Sequence, residues 1–374
     1  MIEKEIIKSN KWKIFKKFFL NNWIIFCVIL LLIGISILNQ WNMGDGFSSY
    51  VWKTLLWHLL GLNILFFSLF FLDYRKIPLR FIYILYGVLL IVIACMDVFK
   101  IRWIRLGGIS LQPSEFLKPL LLLIFALEAE KCKSTVLSYQ LFLKLFFIMS
   151  IGIFLVLITD LDNAFIIGVM FFSFLIVLGI PKRILIPMLS FFVIILVIVV
   201  PIAWNKFLKP YQKGRIYGYL YPEKYSKTWG YQTTQSIITI GSGGLFGQGF
   251  KKGWSTRLNY LPAKRTDLAF SVWAESCGFV GSMIFLILYG YLIYYALQIA
   301  INAKDWLGRY LSLGIALILF WQSFFNIGGA LGILPMTSVP LPFLSYGGSI
   351  TISVYFLLSL LLNISFRRYF FRYF

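Results

Sequence analysis

The sequence predicts an all-α integral membrane protein with about ten transmembrane helices. Hydrophobic residues make up 60% of the 374 residues and charged residues only 13%, so the chain has more apolar surface than one soluble core could bury. Apolar runs long enough to cross a hydrocarbon layer of about 30 Å recur along the chain. Stretches such as IIFCVILLLIGISIL are apolar on every face, which indicates helices rather than the alternating strands of a barrel.

The apolar runs divide the chain into five parts. These are a basic cytoplasmic segment (1–20), helices one to seven (21–204), a large extracytoplasmic loop (205–267), helices eight to ten (268–365) and a basic cytoplasmic tail (366–374). The ten predicted spans are residues 21–40, 53–72, 79–97, 113–130, 139–158, 163–180, 183–204, 268–298, 307–330 and 346–365.

The orientation follows from the basic residues in the short connections, which concentrate on the cytoplasmic side of membrane proteins. One set of alternate connections is rich in Lys and Arg, and the other contains only Lys53, Lys100, Arg102, Arg105 and Lys118. We therefore expect both termini in the cytoplasm and the large loop outside. Much of the net charge of +21 is this bias, which also suits an anionic inner leaflet and is not a nucleic-acid signal. The basic set is Lys4, Lys8, Lys11, Lys13, Lys16, Lys17, Arg75, Lys76, Arg80, Lys131, Lys133, Lys182, Arg183, Lys304, Arg309, Arg367, Arg368 and Arg372.

The cysteines and the single histidine carry no site signature. Cys27, Cys95, Cys132 and Cys277 lie in spans or an inner connection without CxxC spacing, so we predict neither a disulfide framework nor a zinc site. His58 lies in the second span, and we interpret it as a packing residue. The first span is too long for a signal-peptide core and is interpreted as an anchor.

The first unusual polar segment is RWIRLGGISLQPSEFLK, which places Arg102 and Arg105 on the outer side. Glu115 and Lys118 follow at i,i+3 and share a helix face. In one interpretation Pro113 begins a helix, Glu115 favours its N-terminal dipole and Lys118 neutralises that charge. In the other, the two residues form a buried ion pair that holds a cavity open, with Lys118 able to face a phosphate or a cation.

The second segment is TDLDNA, which we interpret as a five-residue outer connection. Its Asp160 and Asp162 could share a divalent cation with water, or they could be solvated turn residues. The spacing alone favours the turn.

The third segment is the large outer loop, whose mixture of aromatic and basic residues suits a membrane interface or a sugar and phosphate ligand. The stretch GSGGLFG is not a nucleotide loop. Phe246 stands where GxGxxG needs its last glycine, and Phe250 stands where a P-loop needs its lysine. A flexible surface loop is the alternative, although the length of the segment favours a function.

The fourth segment, LPAKRTDLAFSVWAE, contains Asp267 at the edge of an apolar run. A carboxylate beside hydrocarbon costs free energy unless it is hydrated, paired or functional. A Thr-Asp pair before such a run is also a helix N-terminus, so a simple cap is the alternative. A helix N-terminus and the neighbouring Lys264 and Arg265 would both lower the basicity of this carboxylate.

Taken in order, the four segments resemble the SEDS family of cell-wall polymerases, and within it RodA more than FtsW or SpoVE. The resemblance covers nearly the whole span pattern. It is carried by QPSEFLK, GYQTTQSIITIGSGGLFGQGF, LNYLPAKRTDLAFSVWAESCGFVGS and NIGGALGILPMTSVPLPFLSYGGS. The stretches PLPFLSYGGS and RLNYLP favour RodA.

The resemblance implies a ten-helix peptidoglycan glycosyltransferase that polymerises lipid II outside the cytoplasmic membrane, in cell elongation and shape. The essential acid of the family falls on Asp267, and its paired acid and base fall on Glu115 and Lys118. Where the family commonly has QPDLGTA this chain has ITDLDNA, which keeps Asp160 but puts Asp162 and Asn163 in the glycine and threonine places. Leu268 replaces the usual phenylalanine after the catalytic aspartate.

The reaction needs a base for the attacking sugar hydroxyl and positive charge for the departing lipid pyrophosphate. We assign Asp267 as the general base. A divalent cation, Mg²⁺ or Mn²⁺, or a basic side chain would stabilise the pyrophosphate, and the candidate side chains are Lys118, Arg102, Arg215, Lys264 and Arg265. The further candidate substrate-binding residues are Arg102, Gln112, Ser114, Asp160, Arg215, Gln235, Lys264, Arg265 and Ser345.

The resemblance also implies partners, and two other functions are alternatives to polymerisation. The resemblance implies lipid II, undecaprenyl-pyrophosphate-linked glycan, a class B penicillin-binding protein and elongation-complex proteins as partners. A flippase of the lipid-linked precursor is the first alternative, since intramembrane charges also suit a transporter. A non-catalytic scaffold of the wall-synthesis complex is the second.

Overall fold

The computed structural model describes residues 2–44, 48–106, 109–132, 137–180, 183 and 210–370. Within these residues the chain is almost entirely helical, with one two-stranded antiparallel hairpin formed by β1 (Ile104–Leu106) and β2 (Ile109–Leu111). The helices are α1 (Ile2–Asn42), α2 (Ser49–Phe71), α3 (Leu79–Val98), α4 (Pro113–Cys132), α5 (Tyr139–Thr159), α6 (Leu161–Val177), α7 (Pro210–Leu220), α8 (Pro222–Tyr225), α9 (Tyr231–Ser242), α10 (Trp254–Arg257), α11 (Ala269–Asn302), α12 (Trp306–Ala330) and α13 (Gly348–Phe370).

Nine of the ten predicted spans coincide with helices, and the seventh, 183–204, lies outside the described residues except for Arg183. Seven described helices are long and apolar enough to cross a membrane, and α6 is a shorter apolar helix. α4 is more charged than these because it contains two lysines and three glutamates. The prediction of an all-α membrane protein is confirmed.

The charged helix α4 lies in the interior of the bundle. It packs against α3, α12 and α13, and the side chains from Leu121 to Ala126 are almost completely withdrawn from the surface. A helix that is surrounded by other helices has no water around it, so its polar side chains must find partners within the protein. The polar residues of α4 therefore carry information about the site.

Long helices that follow each other through a short connection run in opposite directions, so these connections lie at one or the other end of the bundle. The end at which α1 meets α2, α3 meets α4, α5 meets α6 and α12 meets α13 is called here the site end. The opposite end is held by polar contacts, including an ion pair of Arg367 with Asp73 at 3.0 Å and a hydrogen bond from Tyr74 to Asp305 at 2.7 Å.

The large loop predicted at 205–267 contains the short helices α7 to α10 in its described part. Residues 205–209 of the loop lie outside the described residues.

The eighth predicted span is interrupted. α11 breaks at Gly278, whose φ of 66° and ψ of −163° are not helical, and the break leaves backbone groups without helical partners. The GSGGLFGQG stretch supplies these partners: Gln248 N–H donates to the Glu275 carbonyl at 2.9 Å, and Phe279 N–H donates to the Gly244 carbonyl at 2.9 Å. The glycine-rich motif therefore satisfies the backbone of a broken helix, as membrane proteins require.

Close approach explains the glycine at position 247. Its φ is 83°, and a Cβ there would overlap the Ser276 carbonyl group. A side chain would push this stretch away from the break in α11.

The interpretation of His58 as a packing residue is confirmed. Its ring is buried, with Nδ1 at 3.1 Å from the Tyr355 hydroxyl and Nε2 at 3.0 Å from Ser36 Oγ. Both ring nitrogens are thus satisfied within the helix bundle. Cys27, Cys95 and Cys277 are free thiols.

Candidate active site at one end of the helix bundle

A polar cavity of about 280 Å³ opens at the site end. It collects side chains from the hairpin, from α4, from the junction of α5 and α6, and from the segments before α11 and α13. The lining residues are Arg102, Trp103, Gln112, Glu115, Asp160, Thr266, Asp267, Ser338, Pro340, Tyr346, Gly347, Ser349 and Ile350.

The hairpin and the start of α4 supply one wall. Arg102 stands just before β1 and Gln112 just after β2, and the register pairs Ile104 with Leu111, so the two flanking residues return to the same edge. The Gln112 N–H donates to Ser349 Oγ at 2.7 Å. This bond ties the hairpin to α13.

Glu115 and Lys118 form the buried ion pair that the sequence offered as one interpretation. Lys118 Nζ donates to Glu115 Oε1 at 2.7 Å, and the two side chains are 1% and 2% exposed. Helix α4 does begin at Pro113 with Glu115 in its first turn, so both interpretations describe part of the arrangement. Lys118 belongs to the helix interior and not, as the charge count assumed, to an outer connection. Glu115 reaches the cavity, and Lys118 lies behind it.

The predicted five-residue connection carrying Asp160 does not exist. Asp160 alone joins α5 to α6, and it caps α6 by accepting from the Asn163 N–H at 3.3 Å. Its other oxygen, Oδ2, accepts from Gln112 Nε2 at 3.0 Å, and Arg102 Nη1 lies 3.9 Å from the capping oxygen, Oδ1. The solvated-turn interpretation of Asp160 is wrong, because this carboxylate is 5% exposed.

Asn163, in the place of the family threonine, continues this network inward. Its Nδ2 donates to Ser114 Oγ at 2.8 Å and approaches Glu115 Oε1 at 3.5 Å. Ser114 lines a small cavity of about 20 Å³ together with Gln112 and Asp160. A single amide side chain thus joins α6 to the first turn of α4.

Asp162 is also not a solvated turn residue. Its carboxylate accepts from Arg215 Nη1 at 2.6 Å and from the hydroxyl and N–H of Ser338 at 2.7 and 3.1 Å. Asp160 and Asp162 therefore have different partners and face different neighbours.

Asp267 lies half-buried in the cavity wall. It is not a helix cap, because α11 begins at Ala269 and its N-cap, Leu268, forms no side-chain cap bond. The backbone around it is held from two sides. Asn326 Nδ2 donates to the Asp267 carbonyl at 3.0 Å, and the Tyr346 N–H donates to the Arg265 carbonyl at 2.8 Å.

The electrostatics of Asp267 differ from the sequence expectation. Burial raises its pKa from the ordinary value to about 6, since the charged form loses hydration. Nearby Asp162 and Asp160 raise it further, whereas a hydrogen bond from Thr266 and the charge of Arg215 oppose the rise. The expectation that Lys264 and Arg265 lower the basicity of Asp267 is wrong.

The two basic neighbours point elsewhere. Lys264 Nζ donates to the Thr256 carbonyl at 2.9 Å and to Asn259 Oδ1 at 2.6 Å. The guanidinium of Arg265 donates to the Met43 carbonyl at 3.1 Å and lies over the ring of Tyr50, 4.2 Å from its centroid. Both contacts stabilise the loop that carries Asp267.

Two further sequence candidates lie outside the cavity lining. Ser345 donates to the Thr266 carbonyl and accepts from the Leu341 N–H, so it fixes the backbone beside Asp267. Gln235 lies half-buried in α9 and is not among the residues that line the polar cavity.

Some lining residues were missed by sequence reasoning. Ser338, Tyr346 and Ser349 all belong to the motif TSVPLPFLSYGGS, which carried the resemblance but from which only Ser345 was selected. Trp103 and Thr266 adjoin selected residues. Their polar side chains within a motif of the resemblance were the signal that could have identified them. Which of these side chains point into the cavity depends on the fold.

A second, more apolar cavity of about 380 Å³ adjoins the first. Phe165, Phe325, Leu334 and Met336 contribute to its lining. Arg102 lines both cavities, and Arg215 and Asp162 line the apolar one. The two cavities together form a site with a polar and an apolar part.

The acidic residues do not form a metal centre by themselves. In the described part of the chain no group of three or more His, Cys, Asp or Glu side chains is arranged to hold an ion. Glu115 is paired with Lys118, Asp160 with Gln112 and Asn163, and Asp162 with Arg215 and Ser338. A divalent cation at this site would need ligands from a bound phosphate, as Mg²⁺ commonly takes.

Fold and site together define a multi-span membrane protein with an acidic and cationic pocket at one end of its helix bundle. The sequence model of the FtsW, RodA and SpoVE cell cycle proteins matches residues 14–369. The chain therefore belongs to this family.

Individual relatives agree with the family. Peptidoglycan glycosyltransferase MrdB of Helicobacter pylori is 33% identical over 322 residues, covering 83% of this chain and 82% of the relative. MrdB of Escherichia coli is 35% identical over 274 residues, covering 71% and 72%.

Solved structures agree as well. A chain from a peptidoglycan synthase complex, described as coordinating polymerization and crosslinking, matches with a TM-score of 0.76 at 28% identity, covering 93% of this chain and 98% of that one. The rod shape determining protein RodA of Thermus thermophilus matches with a TM-score of 0.65 at 25% identity, covering 93% and 97%.

Proposed function

We propose that the chain polymerises lipid II into glycan strands and that Asp267 is the general base. The chain is a peptidoglycan glycosyltransferase by its family and by the activity for which its MrdB relatives are named. The assignment of Asp267 depends on one observation: this carboxylate lines a polar cavity that adjoins an apolar one. A sugar joined through pyrophosphate to a lipid has the same two parts.

The proton transfer suits the pKa of Asp267. A base with a pKa of about 6 is ionised at neutral pH and is more basic than an ordinary aspartate. In the reaction, an acceptor sugar hydroxyl gives its proton to Asp267 as its oxygen bonds to the anomeric carbon of the donor. The bond from that carbon to the lipid pyrophosphate breaks, and the pyrophosphate leaves with the electron pair.

Positive charge beside the cavity supports the departure of pyrophosphate. Arg102 lines both cavities and Arg215 lines the apolar one, and guanidinium groups bind phosphate oxygens through paired N–H donors. Lys118 lies behind Glu115 with little exposure, so we assign it to holding Glu115 rather than to contacting phosphate. Lys264 and Arg265 support the loop of Asp267.

Gln112, Ser114, Asp160 and Ser345 divide into two roles in this proposal. Gln112 and Asp160 line the polar cavity and are candidates for hydrogen bonds to sugar hydroxyls. Ser114 and Ser345 hold the network and the backbone next to it. Gln235 has no role in this arrangement.

The proposed setting is the bacterial cytoplasmic membrane, with both termini inside and the site end outside. The bias of basic residues supports this orientation. The relative within a peptidoglycan synthase complex supports a class B penicillin-binding protein as partner, acting with other proteins of cell elongation. The substrates in this proposal are lipid II and undecaprenyl-pyrophosphate-linked glycan.

The test is glycan formation from purified lipid II by the full chain, alone and with a transpeptidase-inactive partner. Asp267→Asn should fold and insert but lose about 10²- to 10⁴-fold of the polymerisation rate, which is the usual contribution of a general base. The melting temperature of the variant controls for folding. Near wild-type turnover by Asp267→Asn would exclude the assignment.

The same assay separates the alternatives. A flippase would move lipid II across a vesicle membrane without lengthening glycan, and a scaffold would do neither. Parallel reactions with EDTA, Mg²⁺ and Mn²⁺ decide the cation. If polymer forms at the same rate in EDTA, the divalent cation is not required.

A further inference from the structure

Asp162 lies in the first turn of α6 and accepts hydrogen bonds from residues of two other parts of the chain. One of its oxygens, Oδ2, accepts from Arg215 Nη1 at 2.6 Å, from Ser338 Oγ at 2.7 Å and from Ser338 N–H at 3.1 Å. The three donors belong to the outer loop and to the segment between α12 and α13. One carboxylate oxygen thus joins three separate parts of the site end.

These contacts lie where the two cavities meet. Asp162, Arg215 and Thr337 line the apolar cavity, and the next residue, Ser338, lines the polar one. Arg102 is common to both cavities. If a substrate placed its lipid in the apolar cavity and its sugar in the polar one, the phosphate between them would lie at this junction.

We propose that Asp162 is a positioning residue that holds the Arg215 guanidinium and the Ser338 segment at the cavity junction, with Arg215 directed toward the pyrophosphate of the lipid-linked substrate. The proposal rests on the proposed function, because it takes that pyrophosphate as the ligand.

The charges around the junction support this role. An arginine has five N–H donors, so donation from Nη1 to Asp162 leaves others for an anion. The Arg215 side chain is 34% exposed, so without Asp162 it would exchange among solvated rotamers. Fixing it in one rotamer when the substrate binds would then cost conformational entropy and weaken binding. Arg102 provides a second cation at the junction. Asp160 and Asp267 line the polar cavity, and their carboxyl groups disfavour binding of the pyrophosphate deeper in that cavity.

The experiment is a double-mutant cycle in the polymerisation assay with Asp162→Asn, Arg215→Gln and the combined variant. Each single change should raise KM for lipid II by roughly 10-fold, the scale of one lost charge-assisted hydrogen bond. The effect belongs in KM, with kcat changed by less than about threefold, because the pyrophosphate carries its charge before reaction. Since Asp162 acts through Arg215, the combined variant should match Arg215→Gln.

Additive losses in the combined variant, or an unchanged KM in Asp162→Asn, would overturn the proposal. If Asp162→Asn does not fold, Arg215→Gln decides by itself, and an unchanged KM there also overturns it. Asp73→Asn is the matched control, because Asp73 pairs with Arg75 and Arg367 at the opposite end. It should lower the melting temperature and leave KM unchanged.

Failure of the proposed function gives a different result. If wild type forms no glycan, the pyrophosphate ligand loses its basis. If wild type is active and Asp267→Asn is not, the proposed function holds, and the result of the double-mutant cycle then concerns only the positioning role of Asp162.

Discussion

Lys118 Nζ and Glu115 Oε1 lie 2.7 Å apart at a point where both side chains are almost fully buried. Two charges in such surroundings are stable only together, because each offsets the desolvation of the other. Glu115 Oε2 has no hydrogen-bond partner within the described residues, and the residue lines the polar cavity. The ion pair therefore stabilises the helix bundle and also fixes the position of a residue that lines the polar cavity.

Glu115→Ala should lose stability and activity together. Removing one partner of a buried ion pair typically costs about 3–5 kcal/mol, and Lys118 would be left in the bundle interior without its ion-pair partner. Melting temperature and polymerisation rate would both fall. The matched control is Glu128→Ala in the same helix, whose partners Lys131 and Lys144 are 58% and 48% exposed and can remain hydrated. A stable and fully active Glu115→Ala protein would contradict the prediction.

The pH dependence of kcat/KM should have an acid limb near pH 6. Burial raises the pKa of Asp267 to about 6, and a general base must be deprotonated in the free enzyme. Activity is therefore expected to decline as pH falls through 6. Initial rates between pH 4.5 and 8 would show the limb, and a limb near the ordinary aspartate value of about 4 would indicate that Asp267 is solvated or not the base.

The same raised pKa predicts that Asp267→Asn stabilises the protein above pH 6. The folded-state pKa of about 6 exceeds the unfolded value of about 3.9, so the folded state binds the proton more tightly, and ionisation destabilises it as pH rises through that window. Asparagine removes this penalty. The melting temperature of the variant should exceed that of wild type at pH 7.5, and the difference should vanish below about pH 4. An equal melting temperature across the range would contradict the electrostatic account.

Gly247→Ala should disrupt the break in α11. Its φ of 83° disfavours a side chain, and a Cβ would overlap the Ser276 carbonyl group. The hydrogen bonds from the Gln248 N–H to the Glu275 carbonyl and from the Gly249 N–H to the Ser276 carbonyl would then be lost. Gly244→Ala is the matched control, because Gly244 has a φ of 55° but open space around its missing Cβ. We expect a lower melting temperature for Gly247→Ala than for Gly244→Ala, and equal values would exclude close approach as the reason for the glycine.

Local sequence determined the helices and offered the ion pair as one of two interpretations. Apolar runs must become helices in a membrane because the backbone has no other partners there, and spacing at i,i+3 places Glu115 and Lys118 on one helix face. The packing of His58 and the rejection of a nucleotide loop also followed from the residue types. The same reasoning placed Asp267 at the edge of a helix.

Tertiary structure alone decided which polar groups meet. Asp162 and Arg215 are 53 residues apart in sequence, and no local pattern pairs them. Lys264 and Arg265 are close to Asp267 in sequence, yet their side chains contact Asn259 and Tyr50 instead. The reason is physical: periodicity along one helix determines which residues share a face, but the direction of a loop side chain and the pKa of a buried acid depend on neighbours from other helices.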